Sequence, residues 1–290
     1  MTRYARYVRT LTAVGALGVL GLLGSALSGC AGADRAGAGP AAASPPHTAS
    51  PRPAVAKGPP SMVPGPDGLT PVFQRGAPAA GKTVALTFDA DMTADQGPRA
   101  ASGERFDNPS LIALLRRLEV PSTVFMTGRW AEEYPTQAKS IGTDPLFEIA
   151  NHSYSHYAFT ADCYGLPVIG KERMAGDVER AFKAFHAAGA RNVVPYFRFP
   201  GGCYDKAALR ALAPQKVTAV QWDVVSGDAF ATDPDAVADQ VLADVKPGSL
   251  VVMHCTRSAA PVTEDAVRRI VPELRERGFR FVRVSELMAH

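Results

Sequence analysis

Two carboxylates, Asp89 and Asp91, stand two residues apart where a strand-like apolar run ends, in the segment VALTFDADMT (84–93). Side chains at positions i and i+2 of an extended chain lie on the same face. Two carboxylates on one face can serve as a cation ligand and as a general base. Aspartates after a strand most often cap a loop, however, so this pair alone does not indicate catalysis.

Further residues suited to metal binding or proton transfer follow other apolar runs. The His-x3-His spacing suits a metal when a loop or a helical turn brings the two imidazoles together. Each residue alone also has a structural explanation, such as a hydrogen-bonded core histidine or an arginine paired with a helix end. Their recurrence at strand ends is what indicates a common site. These residues are His152 and His156, then Arg198, Pro200 and Gly201, then Trp222, Asp223 and Asp228, and finally His254.

Strands and helices alternate in the part of the chain that carries these residues. Helical patterns at 108–118, 174–189, 233–242 and 262–278 separate the apolar runs, which implies parallel βα units. About 210 residues is short of the roughly 250 of a complete eight-fold barrel. We therefore predict a seven-stranded incomplete (β/α) barrel, with an open doubly wound sheet as the alternative; either fold places ligand chemistry at the carboxyl ends of strands. The predicted strands are 83–88, 122–127, 146–150, 193–199, 217–224, 249–254 and 280–284.

The first 29 residues have the features of an export signal. Three arginines precede an apolar stretch at 11–27, and a small-residue sequence follows. A membrane span would need about 20 strongly apolar residues. The sequence LSGC (27–30) resembles the bacterial lipobox, which predicts Cys30 as a lipid anchor. We expect an exported protein held on the outer face of the bacterial cytoplasmic membrane; the alternative is an ordinary signal peptide with a chance cysteine.

A linker follows the predicted anchor. Of the 30 residues from 31 to 60, 23 are Ala, Gly, Pro or Ser, too few large apolar groups for a core. We divide the chain into a signal peptide (1–29), a disordered linker (30–70) and a domain (71–290). Removing residues 1–29 lowers Lys plus Arg from 31 to 28, equal to the 28 Asp plus Glu. Nucleic acid is therefore not an expected partner.

Taken in order, the segments resemble the NodB-homology polysaccharide deacetylases, carbohydrate esterase family 4. Thr87-Phe88-Asp89 resembles the first motif of the family, Thr-Phe-Asp-Asp, and residues 152–156 match the second, His-Ser-x-x-His. Residues 198–200 match Arg-x-Pro, and 252–254 match the fifth motif, an aliphatic residue two before a histidine. The segments TVFMTGRWAEEYP (123–135) and KPGSLVVMH (246–254) are also family-like, and the resemblance spans roughly 82–288.

The resemblance implies a metal-dependent deacetylase. Asp91, His152 and His156 would bind a divalent metal, zinc in the first instance, with cobalt, nickel or manganese as alternatives. The other implied roles are Asp89 as general base, Arg198 as its partner, His254 as general acid, Asp228 as the group that keeps His254 protonated, and the backbone N–H of Gly201, beside Pro200, as an oxyanion donor where the family has tyrosine.

Two departures from the family pattern matter. The family has adjacent aspartates, whereas Ala90 follows Asp89 here, so which of Asp89 and Asp91 is base and which is ligand stays open. The fourth motif, Asp-x-x-Asp-Trp, keeps only its second aspartate, because Val225 and Ala229 occupy its first and last positions. Without that aromatic residue, sugar stacking would fall to Trp222, Tyr154 or Tyr204.

Beyond Cys30 the chain has three cysteines, which allow one disulfide and one free thiol in an exported protein. The sequence permits all three pairings; Cys163 and Cys203 follow motifs on neighbouring strands, which favours that pair over one with Cys255.

The sequence thus predicts a monomeric metal-dependent hydrolase that removes acetyl groups from N-acetylated sugars of an extracytoplasmic polysaccharide. Peptidoglycan is the polymer that a tethered enzyme would meet first. An O-acetyl esterase acting on xylan-like glycans and a non-catalytic, lipid-anchored glycan-binding protein are the alternatives. Hydrolysis of a small cyclic amide is disfavoured, because a soluble metabolite gives no reason for an anchor.

Overall fold

The computed structural model describes residues 58–78 and 81–289, which form a curled parallel sheet with helices packed on its outer side. The predicted signal peptide, Cys30 and the linker up to residue 57 lie outside the described residues. The strands are β1 (Val72–Phe73), β2 (Thr83–Ala90), β3 (Ser122–Met126), β4 (Phe147–Asn151), β5 (Val193–Phe197), β6 (Thr218–Val220), β7 (Val224–Val225), β8 (Ser249–His254) and β9 (Arg280–Phe281).

Most helix ends lie where the capping residues predict them. The Asn108 side chain accepts a hydrogen bond from the Leu111 N–H, and Asp233 caps a later helix in the same way. Among the described residues, no helix combines the length and apolarity that a membrane crossing requires. The helices are α1 (Gly97–Ala101), α2 (Pro109–Arg117), α3 (Gly128–Glu133), α4 (Pro135–Gly142), α5 (Lys171–Ala187), α6 (Lys206–Leu212), α7 (Pro234–Asp244), α8 (Thr263–Glu276) and α9 (Val284–Met288), with 3-10 turns at Pro66–Gly68, Pro200–Gly202 and Ala213–Gln215.

The strand order requires the sheet to curl. The order is β1-β6-β5-β4-β3-β2-β8-β7, all pairs are parallel, and β9 pairs with the start of β2. Val220 ends β6 and Val224 begins β7, so four Cα steps of about 3.8 Å, about 15 Å in total, join strands that a flat sheet would hold about 29 Å apart. The β6 and β7 sides therefore face each other across a gap, here called the seam. This confirms the incomplete barrel and excludes the open doubly wound sheet.

The structure departs from the predicted strands and linker most clearly in the following places. The predicted strand 217–224 is two strands, because the chain crosses the seam at residues 221–223. Strand β1 was not predicted, because two residues are too short to show a periodic pattern. The predicted strand 280–284 is shorter in the structure, where Val284 begins α9. The predicted linker also ends earlier: the Tyr196 hydroxyl donates to the Pro60 carbonyl at 2.8 Å, so residues before 71 already contact the sheet.

The two faces of the strands have different partners. Along β2, Val84, Leu86, Phe88 and Ala90 belong to the main core beneath the helices. Ala85 belongs to a separate cluster inside the curl, and Thr87 and Asp89 follow it on the same inner face. The interior of the barrel is thus apolar at the amino end of the strands and polar at the carboxyl end.

Candidate metal centre and active site

The candidate residues lie at or just after the carboxyl ends of four strands, on one rim of the barrel. Asp89 lies near the end of β2 and is in register with His254, the last residue of β8. The histidine pair begins directly after β4, and Arg198 follows β5. Since parallel strands end on the same side, the predicted residues meet although 165 positions separate Asp89 from His254.

Asp91, His152 and His156 form a compact cluster of metal-ligand atoms. The Oδ1 atom of Asp91 lies 3.3 Å from Nε2 of His152 and 3.6 Å from Nε2 of His156. One donor atom from each of the three residues lies within 4.8 Å of the other two. The cluster is a candidate divalent metal site with two imidazole nitrogens and one carboxylate oxygen.

Local backbone geometry aims these side chains inward. Nδ1 of His152 donates to the Arg198 carbonyl at 2.9 Å, which leaves Nε2 facing Asp91. Ser153 and His156 both have positive φ, at 68° and 55°, and the His156 N–H donates to the Ser153 hydroxyl at 2.8 Å. This turn folds the loop back so that both imidazoles face the same carboxylate.

Asp91, and not residue 90, reaches the histidines because of the strand alternation. Ala90 ends β2 with its side chain in the outer core, where it is fully buried. Asp91 returns to the inner side, and its N–H donates to the Thr256 hydroxyl at 2.8 Å. Its position one residue beyond the adjacent pair of the family thus still puts a carboxylate at the histidines.

The cluster fits a cation on two grounds. Oδ1 of Asp91 is buried and has no hydrogen-bond partner, an arrangement that is costly unless another ligand satisfies it. Burial lowers the pKa of His156 to about 4 despite the attraction of Asp91, so this imidazole is neutral at neutral pH and its lone pair is available. Burial opposes charge on Asp91, but the three surrounding histidines lower its pKa overall, so it remains a carboxylate.

Asp89 has a different partner. Its Oδ1 accepts a 2.5 Å hydrogen bond from Nη1 of Arg198, and Oδ2 lies 3.7 Å from Nε2 of His152. The arginine is fully buried, donates to the Thr87 hydroxyl at 2.9 Å, and lies 3.8 Å from the centre of the Phe125 ring. Burial lowers the pKa of Arg198, but a guanidinium stays charged in proteins. Asp89 is therefore held as an ion pair beside the cluster.

His254 and Asp228 form a second acid–base pair near Asp91. Nδ1 of His254 lies 2.8 Å from Oδ1 of Asp228, and its backbone N–H donates to Oδ2 at 2.7 Å. Nε2 lies 3.8 Å from Oδ2 of Asp91. Burial alone would lower the pKa of His254, but Asp228, with Asp91 and Asp89, raises it to about 10. The imidazolium is thus the stable form at neutral pH.

The turn after β5 explains the glycine where the family has tyrosine. Gly201 has φ 64°, and a Cβ there would lie 2.6 Å from Sγ of Cys163. Cys163 forms a disulfide with Cys203, with a Cα–Cα distance of 5.9 Å, and Cys255 is a buried free thiol. The disulfide therefore occupies the space that a side chain at position 201 would need. Pro200, at the start of this turn, is buried.

The structure places one of the three predicted sugar contacts, Tyr154, away from the rim. Tyr154 is 6% exposed and its hydroxyl lies between Glu132 and Arg180, so the ring packs in the outer core away from the rim. Trp222, by contrast, is half-buried with its ring 5.4 Å from the Arg198 guanidinium, inside the barrel. Tyr204 is half-buried and stacks on a phenylalanine, with 5.2 Å between ring centroids.

Asp223 is the other prediction that the structure does not bring to the rim. It accepts hydrogen bonds from the Ser249 hydroxyl and the Leu250 N–H, at the amino end of β8. The two-residue strand β7 separates it from Asp228, which lies at the carboxyl end.

Several hydroxyl groups in the site were not predicted. Thr256 binds the Asp91 N–H, Thr87 binds Arg198, and Thr263 donates to Oδ2 of Asp228 at 2.7 Å. Threonine is common in strands, so nothing in the pattern of residue types distinguishes these three. Only Thr87 could have been found, because it shares the inner face of β2 with Asp89.

Comparison with known proteins supports the resemblance. The sequence model of the polysaccharide deacetylase family matches residues 76–220, half of the 290 residues. The chain is 28% identical to a chitooligosaccharide deacetylase of Sinorhizobium fredii over 65% of its own length and 86% of that protein. It is 26% identical to a peptidoglycan-N-acetylglucosamine deacetylase of Bacillus cereus over 72% of this chain and 89% of that one.

Among solved structures, the chain is similar to a mutant of a Bacillus anthracis carbohydrate esterase family 4 pseudoenzyme with restored enzymatic activity. The two are 25% identical, with a TM-score of 0.60, over 75% of this chain and 71% of that chain. The family match includes Asp89, Asp91, the histidine pair and Arg198, and ends before Asp228 and His254.

Proposed function

Because the chain belongs to the polysaccharide deacetylase family, we propose that it hydrolyses the N-acetyl groups of N-acetylglucosamine units in an extracytoplasmic polysaccharide. Peptidoglycan is the polymer we favour, since one of the similar proteins is a peptidoglycan-N-acetylglucosamine deacetylase. The observation that carries the proposal is the position of Asp91. Its unpartnered oxygen faces two imidazoles, Asp89 lies 3.7 Å from one of them, and His254 lies 3.8 Å from the other carboxylate oxygen of Asp91.

Asp91, His152 and His156 would hold the metal, for which we propose zinc because two imidazoles and a carboxylate are a common zinc ligand set. When bound, a divalent cation supplies Lewis acidity to the acetyl carbonyl and to a water molecule. The contacts support these ligand roles. Oδ1 of Asp91 faces both histidines, whereas Oδ1 of Asp89 accepts a hydrogen bond from Arg198.

Asp89 would act as the general base. The guanidinium of Arg198 fixes one of its oxygens, and the other lies 3.7 Å from Nε2 of His152, one of the proposed metal ligands. Because the pair is buried, the carboxylate cannot rotate away without leaving a buried charge unpaired, which is strongly unfavourable. The backbone N–H of Gly201 would contribute to the oxyanion site.

His254 would act as the general acid. An amide leaves as an amine, so its nitrogen must gain a proton before the C–N bond breaks. The pKa of His254, raised to about 10 beside Asp228, keeps a proton on the imidazole at neutral pH. An amide depends on this proton more than an O-acetyl ester does, because the ester oxygen leaves more readily.

We also propose that the protein is a monomer, exported and anchored to the outer face of the cytoplasmic membrane through lipidated Cys30. The LSGC sequence supports this location. Palmitate labelling of cells that express the wild type or Cys30→Ala tests it: label should be found on the wild type alone. Label on both proteins, or on neither, would overturn the anchor.

The enzymatic proposal is tested by acetate release from N-acetylglucosamine hexamers, before and after exhaustive chelation and re-addition of zinc or cobalt. His152→Ala should lose both metal binding, measured by calorimetry, and acetate release. His186→Ala, on the exposed side of α5, is the matched control and should retain both. Undiminished release after chelation, without a response to added metal, would refute the metal-dependent mechanism.

Two further comparisons separate the alternatives. Faster turnover of O-acetylated xylan than of N-acetylglucosamine oligomers would indicate an esterase. A non-catalytic glycan-binding protein would bind the hexamer with equal affinity as wild type and as Asp89→Asn, and neither would release acetate.

A further inference from the structure

Two aromatic side chains stand out by their exposure. Within residues 58–78 and 81–289, Tyr164 and Phe230 are the only exposed members of the Phe, Tyr and Trp set, with 88% and 82% of their surface accessible. Single exposed apolar residues are ordinary in proteins. These two, however, share an unusual backbone conformation and lie in loops at the same rim.

Tyr164 lies at the tip of a fixed turn. Tyr164 and Gly165 have φ values of 50° and 74°, and the Leu166 N–H donates to the Cys163 carbonyl at 2.9 Å. Turns with two successive positive φ values take Gly, Asn or Asp at the first of them, and a bulky residue there is strained. The Cys163–Cys203 disulfide holds one end of the turn, and the Ile169 N–H, which donates to the Ala158 carbonyl, holds the other.

Phe230 has the same kind of backbone. Its φ is 60°, its N–H donates to the Ala259 carbonyl, and the next residue closes a turn by donating from its N–H to the Asp228 carbonyl at 3.1 Å. A large apolar residue with positive φ and an exposed ring has no packing reason for being there. Strain of this kind is typical of functional sites.

Tyr164 and Phe230 lie next to residues of the candidate active site, in loops on the two sides of the seam. Cδ2 of Tyr164 lies 3.3 Å from the position that a Cβ on Gly201 would take, beside the turn that follows β5. Phe230 follows β7 and lies two residues after Asp228, the partner of His254. β5 lies next to β6, which forms the other side of the seam.

We propose that Tyr164 and Phe230 bind the sugar units on either side of the unit that is deacetylated. This deepens the proposed function and rests on it. Pyranose rings have apolar C–H faces that pack on aromatic rings, and a flat exposed ring with a polar rim suits such a ligand. A protein with these contacts favours oligosaccharides over single sugars, because a monomer fills only the place at Asp91.

The test uses variants that make the turns easier to form. Tyr164→Asn and Phe230→Asn each put a residue that tolerates positive φ at the strained position, so loss of folding is not the expected result. Val63→Asn, at a residue 83% exposed and outside the rim, is the matched control, and Tyr164→Phe keeps the ring. The probes are N-acetylglucosamine and its hexamer.

We expect the ratio of kcat/KM for the hexamer to that for the monomer to fall about tenfold in each Asn variant, mainly through KM, which corresponds to one aromatic contact of about 1.4 kcal/mol. Tyr164→Phe and Val63→Asn should keep the wild-type ratio. A ratio within about twofold of wild type in the Tyr164→Asn/Phe230→Asn double variant would overturn the proposal.

Equilibrium binding of the hexamer separates this proposal from the proposed function. Titration into Asp89→Asn, with and without the two Asn substitutions, needs no turnover. Weaker binding when the rings are removed supports the aromatic contacts even if the wild type releases no acetate. Equal binding refutes them, whatever the activity of the wild type.

Discussion

Replacing Asp228 by asparagine should move the alkaline limit of activity to lower pH. The carboxylate is 1% exposed and its Oδ1 lies 2.8 Å from Nδ1 of His254. An opposite charge at this distance raises a histidine pKa by about 1–3 units, or about 1.4–4 kcal/mol. Asparagine has nearly the same shape but no charge, so the substitution removes mainly this electrostatic support.

The sign of the effect follows from the role of His254 as an acid. The protonated form is the active one, so activity is lost as the pH rises through the pKa of His254, about 10 in the wild type. A decrease of about 1–3 units places the loss between about pH 7 and pH 9 in Asp228→Asn. The acidic limb, where His254 is protonated in both proteins, should stay in place.

The assay is kcat/KM for acetate release from the hexamer as a function of pH, with the His254 titration followed by NMR. Asp223→Asn is the matched control, because Asp223 also accepts hydrogen bonds from β8 but at its amino end. It should lose stability without any change in the pH profile. If folded Asp228→Asn keeps the alkaline limb of the wild type, the assignment of His254 as general acid is wrong.

Three predictions concern stability. Arg198→Met leaves the buried Asp89 carboxylate unpaired and should lower the free energy of unfolding in urea by about 3–5 kcal/mol; a loss below about 1 kcal/mol would contradict a buried ion pair. Burial raises the pKa of Glu148 against the hydrogen bonds that it accepts, so its contribution to stability is complete below its ordinary pKa and is lost as the pH rises through the folded-state value. Glu148→Gln should therefore flatten the fall of Tm as the pH rises above the ordinary pKa of a glutamate, and an unchanged slope would exclude this carboxyl as the cause. A Cβ at Gly128 would lie 2.5 Å from a tyrosine ring carbon, whereas nothing lies within 4 Å at Gly176. We expect thermal denaturation to show Gly128→Ala destabilised by about 1–3 kcal/mol and Gly176→Ala stabilised by about 0.5–1 kcal/mol; the reverse order would refute the packing of α3.

The amino-acid pattern alone was enough to predict the longer strands and the helices α2, α5, α7 and α8, but not the short elements β1, α1, α3, α4, α6 and α9. It was also enough to expect Asp89 and Asp91 on one side of the chain, because the two-residue period of a strand is a local property. That the polar residues would collect at one rim followed from the parallel order of the strands. The catalytic and ligand roles of these residues stay predictions.

Other features depend on contacts between distant segments, and the local periodicity of the sequence carries no information about such contacts. Asp89 and Arg198 are 109 residues apart, and their ion pair exists because β2 and β5 both face the inside of one curl. The curl itself follows from the short crossing between β6 and β7, inside what looked like one strand.

Side-chain direction in loops was likewise decided only by the tertiary structure. Tyr154 lies between the two histidines in sequence, yet two left-handed residues turn its ring into the outer core while both imidazoles face Asp91. Loop residues have no fixed period, so their orientation depends on which neighbouring elements offer partners. For the same reason, the pairing of Cys163 with Cys203 became definite only once the loops after β4 and β5 were seen to be adjacent.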